Sequence, residues 1–473
     1  MQNKLYIHEK SFFIMSKPNI LLIVIDSFKS DKCFGKNKTS ITPNIDFLMK
    51  NGTGFPQTIS SAAVSSVAMS SVFTGLFPFR TGMSTDKFQK LDSNITTYIK
   101  ILKNHGYNTF ATAPSITKDF GLTDDFQNLD STYESSISLF EGLGNKIIET
   151  LTSLKSRTPW FFYIHIFDLH APIIVPKNFS EEKFGESKYE KVVSAIDYWI
   201  GKIIKKIDLK NTLVILTADH GDYIPIIEFG KEKIDLEASD NQAKMDYALW
   251  KIGKKVVPDK LKPLKKKISH FIRDSRIKSN KQKMNDLNLS PYQKRVMLEN
   301  RTTSTSGGHR LYDDLIKVPL IFCGINIPSN KKIIQQIRHV DIFPTIEDII
   351  PLPKQNDIDG KSLLPLIDGK KIKENPAYCE SPPGIKKGVK KTIGIRTSRY
   401  KMLKEVKSGN VIELYDLIND PLEEENLVSS NPELIKQMES DLKKIMSNKK
   451  ITIPENKVDL EKIERELAKL GYD

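Results

Sequence analysis

Two apolar runs set the frame for this chain, because each stops at residues able to bind a metal ion. The first is Asn19-Ile-Leu-Leu-Ile-Val-Ile-Asp26 and the second is Leu213-Val-Ile-Leu-Thr-Ala-Asp-His-Gly221. Each is apolar without alternation, the pattern of a strand covered on both faces. In an open α/β sheet, ligands bind beyond the carboxyl ends of the strands. Asp26 and the pair Asp219–His220 could therefore meet at one site. Two carboxylates and an imidazole suit a divalent cation. The bland alternative is that each Asp caps the loop or helix that follows. Either run alone leaves the two readings balanced, so the rest of the chain decides.

Strand and helix patterns alternate through residues 17–125. A helix is predicted from Thr42-Pro43 to Gly52, with Pro at its start and Gly past its end. A Ser-rich stretch, 60–75, follows. The segment 98–103 leads to a strand over 109–113. Another buried strand, 160–167, ends in Asp168-Leu-His-Ala-Pro172, and a helix over 188–207 precedes the strand 213–218. Strand pattern resumes over 318–323. This alternation predicts an α/β fold with a mostly parallel central sheet flanked by helices. After about residue 375 the pattern changes to short strands, 391–395 and 400–404, then a turn at Asn419-Asp-Pro421 and a terminal helix. The expected division is a tail over 1–16, a main body over 17–375 holding a basic helical insert at 225–300, and a smaller α+β subdomain over 376–473.

A chain of 473 residues can bury a large core, and its hydrophobic fraction of 39% is ordinary for a soluble protein. No apolar run reaches the ~18 residues of a membrane span. Ser11-Phe-Phe-Ile-Met15 is too short for a signal-peptide core, and residues 1–14 read as a tail or a misplaced start. Cys33, Cys323 and Cys379 are odd in number and scattered, which predicts reduced thiols and a cytoplasmic setting. The net charge of +14 is uneven: residues 251–283 hold 13 Lys/Arg against Asp259 and Asp274, a local +11, leaving +3 elsewhere. Such a run is usually a solvated helical face, and it could also touch an anionic membrane surface. Few aromatics are interleaved (Trp250, Phe271, Tyr292) and no recognised nucleic-acid motif is present, which argues against sequence-specific nucleic-acid binding.

An ordered set of motifs resembles the sulfatase family of the alkaline-phosphatase superfamily. It comprises Pro18–Asp26, Thr42-Pro-Asn-Ile-Asp46, Phe73-Thr-Gly-Leu-Phe-Pro78 with Arg80-Thr-Gly82, and Asp168-Leu-His-Ala-Pro172. It continues with Ala218-Asp-His-Gly221, His309–Pro319, Asp341-Ile-Phe-Pro-Thr345, Asp359–Pro365, and Glu413–Pro421 with Glu424 and Asn426. Any one is weak, but the order is specific, and together they span most of 17–430 outside the basic insert. The resemblance implies a divalent metal at the carboxyl edge of the sheet and a nucleophile at a helix N-terminus nine residues before Thr74-Gly75. That position is Ser65. A helix N-terminus offers free N–H groups and positive potential to an anionic ester, and a metal beside a hydroxyl eases loss of its proton. The alternative for 60–71 is a small-residue helix start without chemistry, and Ser66 is the nearest competitor for the role.

Three departures from the family pattern matter. Sulfatases carry Cys or Ser followed by Pro or Ala two later and Arg four later, the signature that directs oxidation to formylglycine. Here the segment reads Ser65-Ser66-Val67-Ala68-Met69. Ser65 is therefore read as an unmodified serine. An aldehyde hydrate expels sulfate by collapsing to the aldehyde, whereas a serine phosphate is opened by attack at phosphorus. The residues lean to phosphate esters and the family leans to sulfate. Ser27 stands where sulfatases usually hold a second Asp. The ligand set then reads Asp26, Ser65, Asp219 and His220, for one Mn, Zn, Mg or Ca ion, with the imidazole disfavouring calcium. The Lys-x-His element expected after Gly106-Tyr107 is absent.

The resemblance places a substrate or leaving-group contact at His170 and a proton donor or further ligand at His309. A lone His is more often a satisfied core or surface residue. His339 has a weaker claim of the same kind, and His165, inside the apolar strand, reads as core. Asp168 and His309 could share a second metal, while Lys29 and Asp31 carry no assigned role. The expectation is a metal-dependent hydrolase of sulfuric or phosphoric esters, acting on a sulfated or phosphorylated alcohol, glycan or lipid headgroup. The alternatives are a phosphodiesterase or phospho-group transferase of the same superfamily, a non-catalytic anion-binding protein, and a scaffold binding nucleic acid or membrane through the insert.

Overall fold

The computed structural model describes residues 17–83, 89–135, 137–171, 173–224, 226–229, 232–235, 289–299, 311–350, 352–381 and 391–447. In chain order its strands are β1 (Asn19–Ile25), β2 (Gly52–Ile59), β3 (Asn108–Pro114), β4 (Thr132–Tyr133), β5 (Trp160–Ile166), β6 (Thr212–Thr217), β7 (Ile226–Phe229), β8 (Glu232–Asp235), β9 (Lys317–Gly324), β10 (Lys331–Lys332), β11 (Ile337–Arg338), β12 (Ala377–Glu380), β13 (Thr392–Arg396), β14 (Tyr400–Glu405) and β15 (Val411–Asp416). The main sheet is ordered β10-β2-β9-β6-β1-β5-β3-β4, with β11 also on β2.

The first apolar run becomes β1, whose seven residues are all buried. It lies between β5 and β6 and parallel to both, so its carboxyl end is flanked by theirs. Alternate residues face opposite sides of the sheet. Ile20, Leu22 and Val24 pack with Met69, Val72 and Phe73 of the helix Ser65–Thr74. Leu21, Ile23 and Ile25 pack with Val192, Ile196 and Ile200 of the helix Lys188–Ile204. Each such side chain contributes ~1.5–3 kcal/mol on burial, and this two-sided cover is why the run shows no polar alternation.

The sheet is parallel from β6 through β1, β5 and β3 to β4, and becomes mixed at β9, which runs antiparallel between β6 and β2. The cause is local. The chain leaves β6 at its carboxyl edge, and the Gly221 N–H donates to the Leu315 carbonyl at 2.8 Å, which holds the returning segment at that same edge. A strand that starts there must run back. Gly221 permits this approach, because a Cβ on it would sit 2.1 Å from the Asp314 carbonyl oxygen. Strand β2 has no counterpart in the sequence expectations. Its Gly52, Gly54 and Pro56 argue against a strand, yet it is seated by a register slip between Phe55 and Thr58 that accommodates the proline.

The terminal strands β12 to β15 form a separate antiparallel sheet, covered through Met438 and Leu442 of the helix Pro432–Met446. The insert expected to be helical over 225–300 instead opens on the hairpin β7–β8. Its sequence flanks Gly230, a turn former, with short β-compatible runs. The insert is helical at its exit, Pro291–Glu299. The basic run 251–283 and His309 lie outside the described residues. Among the described residues no helix is long and apolar enough to cross a membrane.

Candidate metal and nucleophile site

Asp26 follows β1 directly, and its N–H donates to Ile166 of β5 at 2.8 Å. Asp219 lies two residues past β6. The parallel register sets Val24 beside both His165 and Thr217, so the three strand ends converge. Asp26, His165 and Asp219 are all fully buried, and each offers a ligand atom within 4.8 Å of the other two. His165 Nε2 is 3.6 Å from Asp219 Oδ2 and 4.0 Å from Asp26 Oδ2. The reading of His165 as a core residue holds for its burial. It is buried, but its ring nitrogen faces two carboxylates.

The two carboxylates are oriented from behind. Asp219 Oδ1 accepts from the His220 N–H at 2.7 Å and the Ser27 N–H at 3.1 Å. Ser27 takes a left-handed φ of 61°, and its hydroxyl donates to Asp26 Oδ1. The Tyr189 hydroxyl holds the Ser27 carbonyl at 2.7 Å. Burial works to raise the Asp219 carboxyl, but the His220 and His165 imidazoles and the Ser65 hydroxyl hold it well below the usual carboxylate range. His220 bonds the Gly221 carbonyl through Nδ1 at 2.7 Å, which leaves Nε2, 3.7 Å from Asp219 Oδ2, as the lone-pair nitrogen.

Ser65 opens the helix Ser65–Thr74, and its hydroxyl donates to Asp26 Oδ2 at 3.1 Å. The cap residue is Val64, which has no side-chain oxygen to give to the first-turn amides. Those N–H groups and the helix dipole are left for an anion. The Ser-rich segment is helical because its hydroxyls bond within it: Ser70 to the Val67 carbonyl at 2.8 Å and Thr74 to the Ser70 carbonyl at 2.7 Å. Ser66 is buried next to Ser65, but Ser65 is the serine that reaches the carboxylate.

The other candidates are spread out. His170 stacks on Phe167 at 4.8 Å, and Phe167 meets the His165 ring edge-on at 5.6 Å, so along this stack two rings stand between His170 and the carboxylates. Asp168 turns away: both carboxylate oxygens accept from the Leu139 N–H, at 3.0 and 3.3 Å, and burial pushes its pKa up to about 7. The proposed second metal site thus lacks Asp168, because that carboxylate caps the 3-10 turn Leu139–Glu141. His339 is fully buried, its pKa pushed down to about 4 by burial, with Asp219 and His220 acting on it. Lys29 is buried and paired with Asp314, to which the Tyr292 hydroxyl also donates at 3.3 Å. The missed residue is His165; its only sequence signal is a single polar residue inside an apolar strand, opposite Val24.

The donor set fits a cation. His165 Nε2, His220 Nε2 and Asp219 Oδ2 are buried without hydrogen-bond partners. Donors that each lie ~2.1 Å from one ion stand about 3–4 Å apart, and Asp219 Oδ2 lies 3.6 Å from His165 Nε2 and 3.7 Å from His220 Nε2. Orphaned polar atoms of this kind are costly unless something binds them.

Comparison with known proteins agrees. A model described as sulfatase matches residues 18–351, and one described as the C-terminal part of N-sulphoglucosamine sulphohydrolase matches 308–450. Arylsulfatase K of Rattus norvegicus is 22% identical over 94% of this chain and 80% of its own length. Arylsulfatase D of Homo sapiens is 35% identical over 20% of this chain and 18% of its own. Among solved structures, a 2-O GAG sulfatase superposes with a TM-score of 0.61 at 17% identity, covering 91% of this chain and 92% of its own. The phosphonate monoester hydrolase of Agrobacterium radiobacter gives 0.61 at 16% identity, covering 91% and 95%. With the family model matched along 18–351, the chain belongs to the sulfatase family, sulfuric ester hydrolases of the alkaline-phosphatase superfamily.

Proposed function

We propose that the chain cleaves anionic esters, a sulfated sugar or glycan first among them, by attack of the unmodified Ser65 hydroxyl. The observation that carries this is the Ser65 Oγ–Asp26 Oδ2 hydrogen bond at a helix N-terminus, on a carboxylate shared with the donor cluster. Asp26, Asp219 and His220, with Ser65, would hold one divalent cation. When bound, such an ion offsets the buried carboxylates and the ester oxygens and eases deprotonation of a neighbouring hydroxyl. The first-turn amides receive the ester's anionic oxygens. Ser65 Oγ passes its proton to Asp26 Oδ2, to which it already donates, and forms a bond to sulfur or phosphorus; the bond to the alcohol oxygen breaks, and the alcohol leaves with a proton. His170 and His309 are the proposed donors of that proton. Water then gives a proton back to the histidine that donated and attacks the same sulfur or phosphorus, the bond to Ser65 Oγ breaks, and Oγ regains the proton held by Asp26.

A second reading, phosphate or phosphonate esters, is favoured by Val67 and Met69, which break the formylglycine signature. Turnover of p-nitrophenyl sulfate, p-nitrophenyl phosphate and bis-p-nitrophenyl phosphate with added metal separates the two. The Ser65→Ala variant should lose turnover of the preferred ester by on the order of 100-fold or more. Undiminished turnover in that variant overturns the Ser65 mechanism, and mass spectrometry of the peptide containing Ser65 reports its oxidation state.

A further inference from the structure

We propose, resting on the reading above in which Asp26 and Asp219 hold a cation, that Ser27 and Tyr189 are positioning residues. Together they fix the gap between the two carboxylates before the ion arrives. Ser27 stands where sulfatases usually hold a second Asp. In the structure it engages both carboxylates at once: its hydroxyl donates to Asp26 Oδ1, and its N–H donates to Asp219 Oδ1 at 3.1 Å. These bonds take up Oδ1 of each carboxylate. Asp26 Oδ2 is left to the Ser65 hydroxyl at 3.1 Å, and Asp219 Oδ2 lies 3.6 Å from His165 Nε2 and 3.7 Å from His220 Nε2.

The clamp needs an unusual backbone. Ser27 has a φ of 61°. A residue with a side chain is strained in that left-handed region and stays there only where its surroundings enforce it. Tyr189 enforces it here. Its hydroxyl donates to the Ser27 carbonyl at 2.7 Å and accepts from the Lys29 N–H at 2.9 Å, so it spans the turn. Tyr189 is buried in the first turn of the helix Lys188–Ile204, whose cap, Ser187, accepts from the Glu190 N–H at 3.1 Å. Val192, Ile196 and Ile200 of that helix pack with Leu21, Ile23 and Ile25 of β1, the strand that delivers Asp26. The tyrosine is thus anchored to the strand whose end it shapes. Glycine would adopt this φ without strain. What serine adds is the hydroxyl on Asp26.

Two carboxylates held close in a buried site repel one another. Neutral donors that grip both at once hold them in place, so less ordering is left for the ion to impose. Outer partners of metal ligands act in this way, and preorganisation strengthens binding.

The test uses the full-length chain, stripped with chelator and titrated with Mn2+ alone by calorimetry. Tyr189→Phe keeps the ring but removes both bonds to the turn. It should weaken Mn2+ binding by about 10-fold, the lower figure for losing an outer partner of a ligand. Affinity unchanged in that variant overturns the proposal. Saturating Mn2+ should restore its turnover of the preferred ester, and turnover still low at saturation overturns the positioning role. Ser27→Ala and Ser27→Gly both lose the hydroxyl and should weaken Mn2+ binding alike, again by about 10-fold. Only Ser27→Ala keeps the strain, so it should unfold at lower denaturant than Ser27→Gly. Equal midpoints or the reverse order overturn the strained clamp. Should Tyr189→Phe fail to fold, the two Ser27 variants decide. Weakened Mn2+ binding in these variants, without turnover of any ester by the unmutated protein, would overturn the proposed function and leave the clamp standing. Ester turnover with Mn2+ affinity unchanged in the variants would do the reverse.

Discussion

Asp26 carries two duties through two oxygens. Oδ1 is held by the Ser27 hydroxyl, and Oδ2 receives the Ser65 hydroxyl and faces His165. Asp26→Asn keeps the shape but removes the negative charge that accepts from Ser65 and binds the ion. Turnover should fall by on the order of 100-fold or more, and metal content measured on the purified variant should fall with it. Ser66→Ala should leave turnover at the level of the unmutated protein, since Ser65 is the serine on the carboxylate. Asp26, Asp219, His220 and Ser65 were legible because each closes or opens a motif whose pattern is local. His165 was not, because a buried two-sided strand conceals which of its residues meets a neighbouring strand's end. Only the register Val24–His165 reveals it.

Elements that carry no chemistry hold the site in place. The helix Ser65–Thr74 ends at Gly75 with a left-handed φ of 66°. The Gly75 carbonyl accepts from the Asp359 and Gly360 N–H groups at 2.9 and 3.0 Å. The Asp359 carboxylate takes the Phe77 N–H at 2.9 Å and the buried Arg80 guanidinium at 3.1 Å. Asp359→Ala removes the buried partner of Arg80, which keeps the exposed Asp357 at 2.8 Å, and leaves the Phe77 N–H without that acceptor, so it should cost on the order of 2–3 kcal/mol of stability by denaturant unfolding. Asp168 caps the turn Leu139–Glu141 from within the core. Its carboxyl is raised from about 3.8 to about 7, mainly by burial. The unfolded chain therefore releases this proton first, so this group's contribution to stability declines as pH rises from about 4 to about 7 and levels off above. Asp168→Asn keeps an acceptor for the Leu139 N–H and should flatten that decline in a Tm series across the same window. The sequence identified Asp168 by its motif, but burial and the Leu139 amide assign it to architecture.

At the scale of the molecule, the C-terminal sheet is bound to the body by buried charge. Asp313, just ahead of β9, accepts from Arg396 of β13 at 2.7 and 2.9 Å and pairs with Lys401 of β14 at 3.2 Å. Lys401 also pairs with Glu423, whose carboxylate accepts the Asp313 N–H at 2.7 Å. The exit helix of the insert joins the same region: Arg295 donates to the Glu423 carbonyl at 2.7 Å, and Val296 and Met297 are buried beside Leu403 and Tyr415. Deleting 225–300 removes that helix, so the shortened chain should lose its cooperative thermal transition and soluble yield, which differential scanning calorimetry and expression trials would report. The whole insert is thus not the detachable basic appendage that charge alone suggests. The sequence by itself determined β1, β3, β5, β6 and β9, the parallel core of the sheet and the acidic strand ends, because each rests on local periodicity and short motifs. The tertiary structure alone decided that β9 runs backward, that β2 is a strand, that Asp168 is a cap and that His165 faces the carboxylates. Those outcomes depend on which distant backbone groups pair and on the burial that pairing imposes, and no local pattern encodes either.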